Sequence, residues 1–282
     1  MEHFCVITNS SKDPEYKKSK EIYEYLRKRG KSCVITTDYV EHFEGTQAYT
    51  DVTEIPEETE CAIVLGGDGT FIQAAVDIRG RIPLLGVNMG TLGFLTEAEQ
   101  TGIAQTLDRL IADDCRIEER MMLEGAYLNQ HAEYALNDIV ITKSGSCRLV
   151  SLELFVNGEL IETYVADGLI ISTPTGSTGY NLSAGGPVMA PKVQAMVITP
   201  ICPHSLNKRS MVVSGEDALV VRLSKGKEYR TDTAEVFFDG KSVADFVSGE
   251  QITICRAKET TKVVKMTQNS FFGILRNKLS VK

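Results

Sequence analysis

The chain has 282 residues, with 30 Lys and Arg against 38 Asp and Glu, for a formal net charge of −8 at pH 7. That balance gives no electrostatic case for a nucleic-acid or membrane-surface partner, and it leaves a phosphorylated small ligand open because local fields differ from the total. The length predicts about two domains, and the 43% of hydrophobic residues is enough for real cores. No stretch approaches the ~18 apolar residues of a membrane span. The first residues, MEHFCVITNS, lack the basic region and apolar core of a signal peptide. The seven cysteines are scattered and contain no C-x-x-C pair, which predicts reduced thiols in a cytoplasmic protein rather than disulfides or a zinc site.

In chain order, Phe4 to Thr8 is a short apolar run that reads as a strand. Asp13 is placed to cap a helix with Pro14 at its first position and Gly30 at its end. Ile22, Tyr25, Leu26 and Arg29 fall at helical spacing on it. Ser32 to Thr37 is a second strand, and Glu41 to Glu60 has no period and reads as a mobile loop. The strand CAIVL then leads into Gly66-Gly67-Asp68-Gly69-Thr70, followed by a helix expected from about Phe71. A strand around Leu84 to Asn88 and an amphipathic helix from Gly102 to Ala112 complete this part. Such β-α-β runs give a parallel sheet covered by helices, with ligands at the carboxyl ends of its strands.

After about Arg116 short alternating runs dominate, among them MMLEGAYL, EYALNDIVITK, LVSLELFV and DALVVRLS. Asn157-Gly158 and Asp239-Gly240 are hairpin signals, and the whole reads as an antiparallel, sandwich-like all-β domain. The predicted fold is therefore an α/β N-terminal domain with a parallel sheet (1–117) plus an all-β C-terminal domain (118–264). A tail (265–282) with the helical pattern SFFGILRNKL packs back on the first domain.

Five stretches carry polar chemistry. GGDGT at 66–70 is neither the dinucleotide fingerprint nor a P-loop, but a glycine turn opening a helix offers backbone N–H groups to an anion. The bland alternative is a tight strand-to-helix turn with Asp68 near the helix cap. NMGTLGFL at 88–95 is a second glycine turn at a strand end, where Phe94 either stacks on a planar ring or fills the core. Asn137-Asp138 is a weak signal alone, and Arg148, ten residues on from Asp138, reads as a phosphate contact or a strand-rim residue. DGLIISTPTGSTGYNLSAGGP at 167–187 crowds hydroxyls and glycines after an apolar strand. So many small polar residues do not make a core, so they are expected to face a polar ligand. The bland reading, a flexible loop, ranks second because Tyr180 lies inside the run. In TPICPHSL at 199–206 the prolines stiffen the chain, and His204 reads as structural.

In this order and spread over most of the chain, these stretches resemble the NAD kinases, which phosphorylate the 2′-hydroxyl of the adenosine ribose of NAD. GGDGT alone is not specific, because lipid kinases of the diacylglycerol and sphingosine type and 6-phosphofructokinases have similar turns. The resemblance implies an active site between the two domains, a homodimer or homotetramer, and Mg²⁺ with ATP, or with polyphosphate as donor. It implies that Asp68 takes the proton from the ribose hydroxyl and that Gly67, Gly69 and Thr70 lie along the phosphates. NAD would meet Asp68 and Gly69, with Phe94 near the adenine, Asn137 and Asp138 on a ribose, and Arg148 facing a phosphate. Asp167 would lie at the nicotinamide end, and Thr178, Gly179, Tyr180, Asn181, Leu182 and Ser183 would line the adenosine side. No residue is assigned to the metal. The chain departs from the family pattern at Gly179, usually Ala; at Asp138, often Glu; and at Val165, where some bacterial members carry Arg. The alternatives are a diacylglycerol- or sphingosine-type lipid kinase and a non-catalytic dinucleotide sensor.

Overall fold

The structure is a computed structural model. It describes residues 1–8, 10–37, 48–90, 93–127, 132–145, 148–205, 207–224, 232–266 and 270–280. Asn9, residues 41–47, Thr91, Leu92, Cys147 and Leu206, all mentioned above, lie outside these. The chain divides into two compact units, Met1–Glu119 with Thr261–Lys282, and Arg120–Thr260.

The first unit opens with β1 (His3–Thr8), α1 (Lys17–Lys28), β2 (Ser32–Thr36) and β3 (Ala48–Tyr49). It continues through β4 (Cys61–Gly66), α2 (Asp68–Ile78), β5 (Leu84–Asn88), β6 (Thr96–Glu99) and α3 (Ile103–Ile111). The strands pair in parallel in the order β5-β4-β1-β2-β3, and β6 also pairs with β5. β1 lies between β2 and β4, so the chain first winds one way from β1 and later the other. That reversal is a switch point, and it places a crevice at the carboxyl ends of β1 and β4. The sheet is buried on both faces: β4 and β5 are inaccessible throughout, as the near-continuous apolar runs require.

Three local expectations need correcting here. The first helix starts at Lys17, because Glu15 and Tyr16 take left-handed backbone and leave Pro14–Tyr16 as a separate 3₁₀ turn. Asp13 still caps it, its carboxylate accepting from the backbone N–H of Lys18 at 2.9 Å and of Ser19 at 2.8 Å. The segment expected as a mobile loop is not structureless where it is described: Ala48–Tyr49 adds a strand beside β2, and Val52–Glu54 forms a 3₁₀ turn with Ile55 buried behind it. The second helix begins at Asp68 rather than about Phe71, so the aspartate stands in its first turn.

Among the described residues, the second unit is built of strands with one 3₁₀ turn (Gly176–Thr178) and one short helix. Its elements are β7 (Arg116–Tyr127, which begins in the first unit), β8 (Glu133–Ala135), β9 (Asp138–Lys143), β10 (Val150–Val156), β11 (Glu159–Ala166) and β12 (Gly168–Ser172). Then come α4 (Tyr180–Ser183), β13 (Ala195–Ile201), β14 (Met211–Ser214), β15 (Leu219–Leu223), β16 (Thr233–Phe238), β17 (Lys241–Val247) and β18 (Gln251–Lys265), which runs on into the first unit. One antiparallel sheet has the order β14-β13-β12-β9-β16-β17, and β11-β10-β15-β18 forms a second antiparallel layer. Alternate residues face inward: Ile139 and Ile141 of β9, Leu169 and Ile171 of β12, and Leu152 and Leu154 of β10 share one core. The two predicted hairpins form, with left-handed backbone at both residues of Asn157-Gly158 and of Asp239-Gly240.

β18 returns the chain to the first unit, where Val263 pairs with Leu84. The tail forms α5 (Phe271–Leu279), capped by the Ser270 side chain. Among the described residues no helix is long and apolar enough to cross a membrane.

Candidate active site

In the first unit, Gly67 is the N-cap of α2, and Asp68 follows it in the first turn. Both carboxylate oxygens of Asp68 are engaged by the second glycine loop. Oδ2 accepts from the Phe94 backbone N–H at 2.9 Å, and Oδ1 from that of Leu95 at 3.1 Å. Gly93 makes this approach feasible, since a Cβ on it would lie 1.9 Å from Asp68 Oδ1. Asn88 closes the same loop by accepting from Gly90 N–H and donating to Gly90 O. Asp68 therefore pins the two glycine turns together. Phe94 is half-buried; the Phe271 ring centroid of α5 lies 5.9 Å from its own, and Lys278 Nζ stands 4.8 Å from it. Gly69 and Thr70 line a cavity at the carboxyl ends of β1 and β2.

In the second unit, a cavity of about 400 Å³ opens on the outer face of the β9–β16 pair. Asn137, Asp138 and Tyr180 line it, joined by Val140, Thr142, Phe237, Asp239 and Gly240, none of which the sequence singled out as a site residue. Asp138, Val140 and Thr142 are alternate residues of β9, whose other face enters the core. Strand alternation was the signal that could have found them. Asp239 was read only as a turn residue. Its carboxylate gathers the backbone N–H groups of Leu136 and Asn137, each at 2.7 Å, and of Asp138 at 3.1 Å. It thus fixes the Asn137-Asp138 corner. Asp138 is 5% exposed. Burial, and then the neighbouring Asp239 charge, push its carboxyl up to about 7. Burial also raises Asp239, against the pull of its three amides. The amides favour the anion on Asp239, so Asp138 is the member that holds the proton.

The hydroxyl-rich run departs most from expectation. Ser172, Thr173, Thr175, Ser177, Asn181 and Thr199 are buried and form a polar core. Thr173 Oγ1 donates to Leu136 O, and Ser177 Oγ donates to Pro174 O and accepts from Met189 N–H. Asn181, wholly buried, donates to Ser177 O and Pro187 O and accepts from Thr199 Oγ1. These groups are spent on one another instead of facing outward. They position Gly176–Thr178 and α4, and Tyr180 is left 48% exposed at the cavity. Thr178, Gly179, Leu182 and Ser183 surround that turn without lining the cavity. Asp167 pairs with Lys143 at 2.5 Å, and Arg148 is exposed ahead of β10; neither lines the cavity.

A sequence model of the ATP-NAD kinase N-terminal domain matches residues 4–115, and one of the ATP-NAD kinase C-terminal domain matches residues 136–266. The NAD kinase of Lachnoclostridium phytofermentans is 45% identical over 289 residues, covering 100% of both chains. The chain belongs to the NAD kinase family. The NAD kinase of Lachnospira eligens is 41% identical, over 99% of this chain and all of its own. Among solved structures, yeast NADH kinase complexed with NADH superposes with a TM-score of 0.86 at 24% identity, covering 100% of this chain and 89% of that one. An NAD kinase from Archaeoglobus fulgidus in complex with ATP gives 0.74 at 24% identity, covering 99% and 100%. At that identity the structures speak for the NAD kinase fold, here an α/β unit with parallel strands followed by an all-β unit with antiparallel ones.

Proposed function

We infer that this chain is an NAD kinase, transferring the γ-phosphoryl group of ATP to the 2′-hydroxyl of the adenosine ribose of NAD to give NADP. The observation that carries the reading is family membership along the whole chain, from the GGDGT turn to the second unit's Asn137-Asp138 corner. A lipid kinase would share only the first turn, and the curated relatives that match along the whole chain are kinases rather than sensors.

Asp68 is the base. The ribose hydroxyl gives its proton to the carboxylate as its oxygen bonds to the γ-phosphorus, and the bond from that phosphorus to the β-phosphate oxygen breaks to release ADP. The transition state is loose, so alignment and charge stabilisation dominate over covalent help. Two backbone amides aim the Asp68 oxygens and leave further lone pairs for the hydroxyl. Gly67, Gly69 and Thr70, at the amide-rich start of α2, receive the phosphates. Asn137 and Asp138 bind sugar hydroxyls, Asp138 donating while it holds its proton, and Tyr180 packs on a ring. Thr178, Gly179, Asn181, Leu182 and Ser183 shape that wall, with Phe94 near the adenine, Arg148 facing a phosphate and Asp167 at the nicotinamide end. Among the described residues no three His, Cys, Asp or Glu side chains form a metal cage. Mg²⁺ would come with the donor's phosphates and offset their charge, as is common for this ion. The edge strand β11 exposes Leu160, Ile161 and Val165, which supports self-association into a homodimer or homotetramer. The six described cysteines are free thiols, in keeping with a cytoplasmic setting.

A coupled assay with NAD, ATP and Mg²⁺ tests the reading: NADP forms with wild type. Asp68→Asn loses at least ~100-fold in kcat and keeps NAD affinity within a few-fold. Near-wild-type turnover by the variant would end the base assignment.

A further inference from the structure

Within the first unit, the last part of the chain meets the loop that holds Asp68 from two sides. β6 starts at Thr96, straight after Phe94 and Leu95, whose backbone N–H groups bond the Asp68 carboxylate. On one side, Lys265 at the end of β18 donates from Nζ to Glu97 Oε1 of β6, and the two side chains are 6% and 1% exposed. Ions so desolvated are held to one another, since parting them would strand a buried charge. Glu97 Oε2 also accepts from the Met266 backbone N–H at 3.4 Å, and Arg109 of α3 donates to Met266 O at 2.8 Å. The chain leaving β18 is thus fixed to β6 and α3.

On the other side stands α5. Phe271, Ile274 and Lys278 fall at i, i+3 and i+7, so they share one face of the helix. Ile274 is buried, the Phe271 ring lies against the Phe94 ring, and Lys278 Nζ stands over it. With nine residues, α5 is shorter than the ~12–15 at which an isolated helix becomes even marginal. Docking by this face therefore holds the helix, and the same contacts hold Phe94. The two residues that bond Asp68 are anchored differently. Leu95 is buried in the core, and its own packing fixes it. Phe94 is half-buried, follows a glycine that offers no side chain to pack, and has its ring on α5.

We propose that Phe271 is a positioning residue for the base. Through the Phe94 ring, with Lys278 beside it, α5 keeps the Phe94 N–H on Asp68 Oδ2 and so aims the carboxylate. The proposal rests on Asp68 being the base, but the hold of α5 on Phe94 belongs to the free enzyme and is measured apart from turnover.

The test uses the full chain. Phe271→Ala removes the ring contact, and Phe271→Leu restores apolar bulk. Lys278→Ala, at an exposed position, leaves the packing intact and carries the test alone should Phe271→Ala fail to fold. In the free enzyme, hydrogen exchange at the Phe94 amide, followed by NMR, speeds up roughly tenfold in Phe271→Ala and about twofold in Lys278→Ala, with Leu95 changing less. The kcat of Phe271→Ala falls roughly tenfold with a smaller rise in KM for NAD, and Phe271→Leu recovers most of the loss. Added to Asp68→Asn, Phe271→Ala costs about twofold or less, because the carboxylate it acts through is already gone. Phe94 exchange and kcat unchanged in both the Phe271→Ala and Lys278→Ala enzymes overturn the proposal. So does a loss confined to KM for NAD, which would limit α5 to the binding contact of Phe94, or losses that multiply in the double variant. Faster Phe94 exchange in Phe271→Ala together with near-wild-type turnover by Asp68→Asn supports the hold of α5 on the carboxylate while sinking the base reading.

Discussion

Asp68 accepts a backbone N–H on each oxygen, so its position is set by the Phe94 and Leu95 amides as much as by its own helix. This answers why a carboxylate stands inside a glycine turn: the aspartate ties two glycine loops and is aimed by the tie. Gly93 is the third partner. Gly93→Ala would put a methyl group 1.9 Å from Oδ1, and neither a backbone wall nor a first-turn side chain yields that much without the tie breaking. The variant keeps the base but misplaces it. It is expected to lose 10²-fold or more in kcat and about 1–3 kcal/mol of stability, with a smaller change in NAD affinity. Steady-state kinetics with a thermal melt decides it; a Gly93→Ala enzyme with wild-type kcat would mean that the tie to Asp68 has no part in turnover.

Elements were legible where a local pattern has only one structural solution. Val-Ile-Thr alternation and the Asn-Gly and Asp-Gly pairs located strands and hairpins, since positive φ at both central residues leaves few alternatives. In the run from Asp167 to Pro187 the burial of Ser172, Thr173, Thr175, Ser177 and Asn181 was not legible, for the opposite reason. Serine, threonine and asparagine suit a ligand wall or a buried network equally well, and only the folded partners separate the two. Asn181 is satisfied by Ser177, Pro187 and Thr199, which no local window pairs with it. Asp239 was invisible as a site residue because it lies some hundred residues from the Asn137-Asp138 corner it holds. The buried network predicts how Asn181→Ala behaves. Three polar groups lose a partner inside the protein, so the variant is expected to lose about 3 kcal/mol. At temperatures where it stays folded, KM for NAD shifts only a few-fold. A large rise in KM with an unchanged melting temperature would instead put Asn181 on the ligand.

Stability as a function of pH belongs to the whole molecule, and the Asp138–Asp239 pair gives it a specific sign. Unfolded, an aspartate releases its proton near pH 3.9. Folded, Asp138 holds its proton up to about pH 7, mainly through burial and then through the Asp239 charge. Between those values the folded protein carries a proton that the unfolded chain has lost, so stability falls as pH rises and levels off above the folded value. The contribution is up to about 4 kcal/mol, since each unit of difference is worth about 1.4 kcal/mol. Carboxylates shifted the other way, Glu60 by the amides of Glu2 and His3 and Glu162 by Lys208, lie at the surface and oppose this weakly. Calorimetric melts from pH 5 to 8 are therefore expected to show a falling midpoint for wild type. Asp138→Asn, which fixes the neutral form, flattens that fall and is the more stable protein at pH 8. The difference between the two curves isolates this carboxyl from every other titration. If it were flat from pH 5 to 8, Asp138 would be an ordinary ionised carboxylate, and its role as a hydrogen-bond donor to the ribose would fall with it.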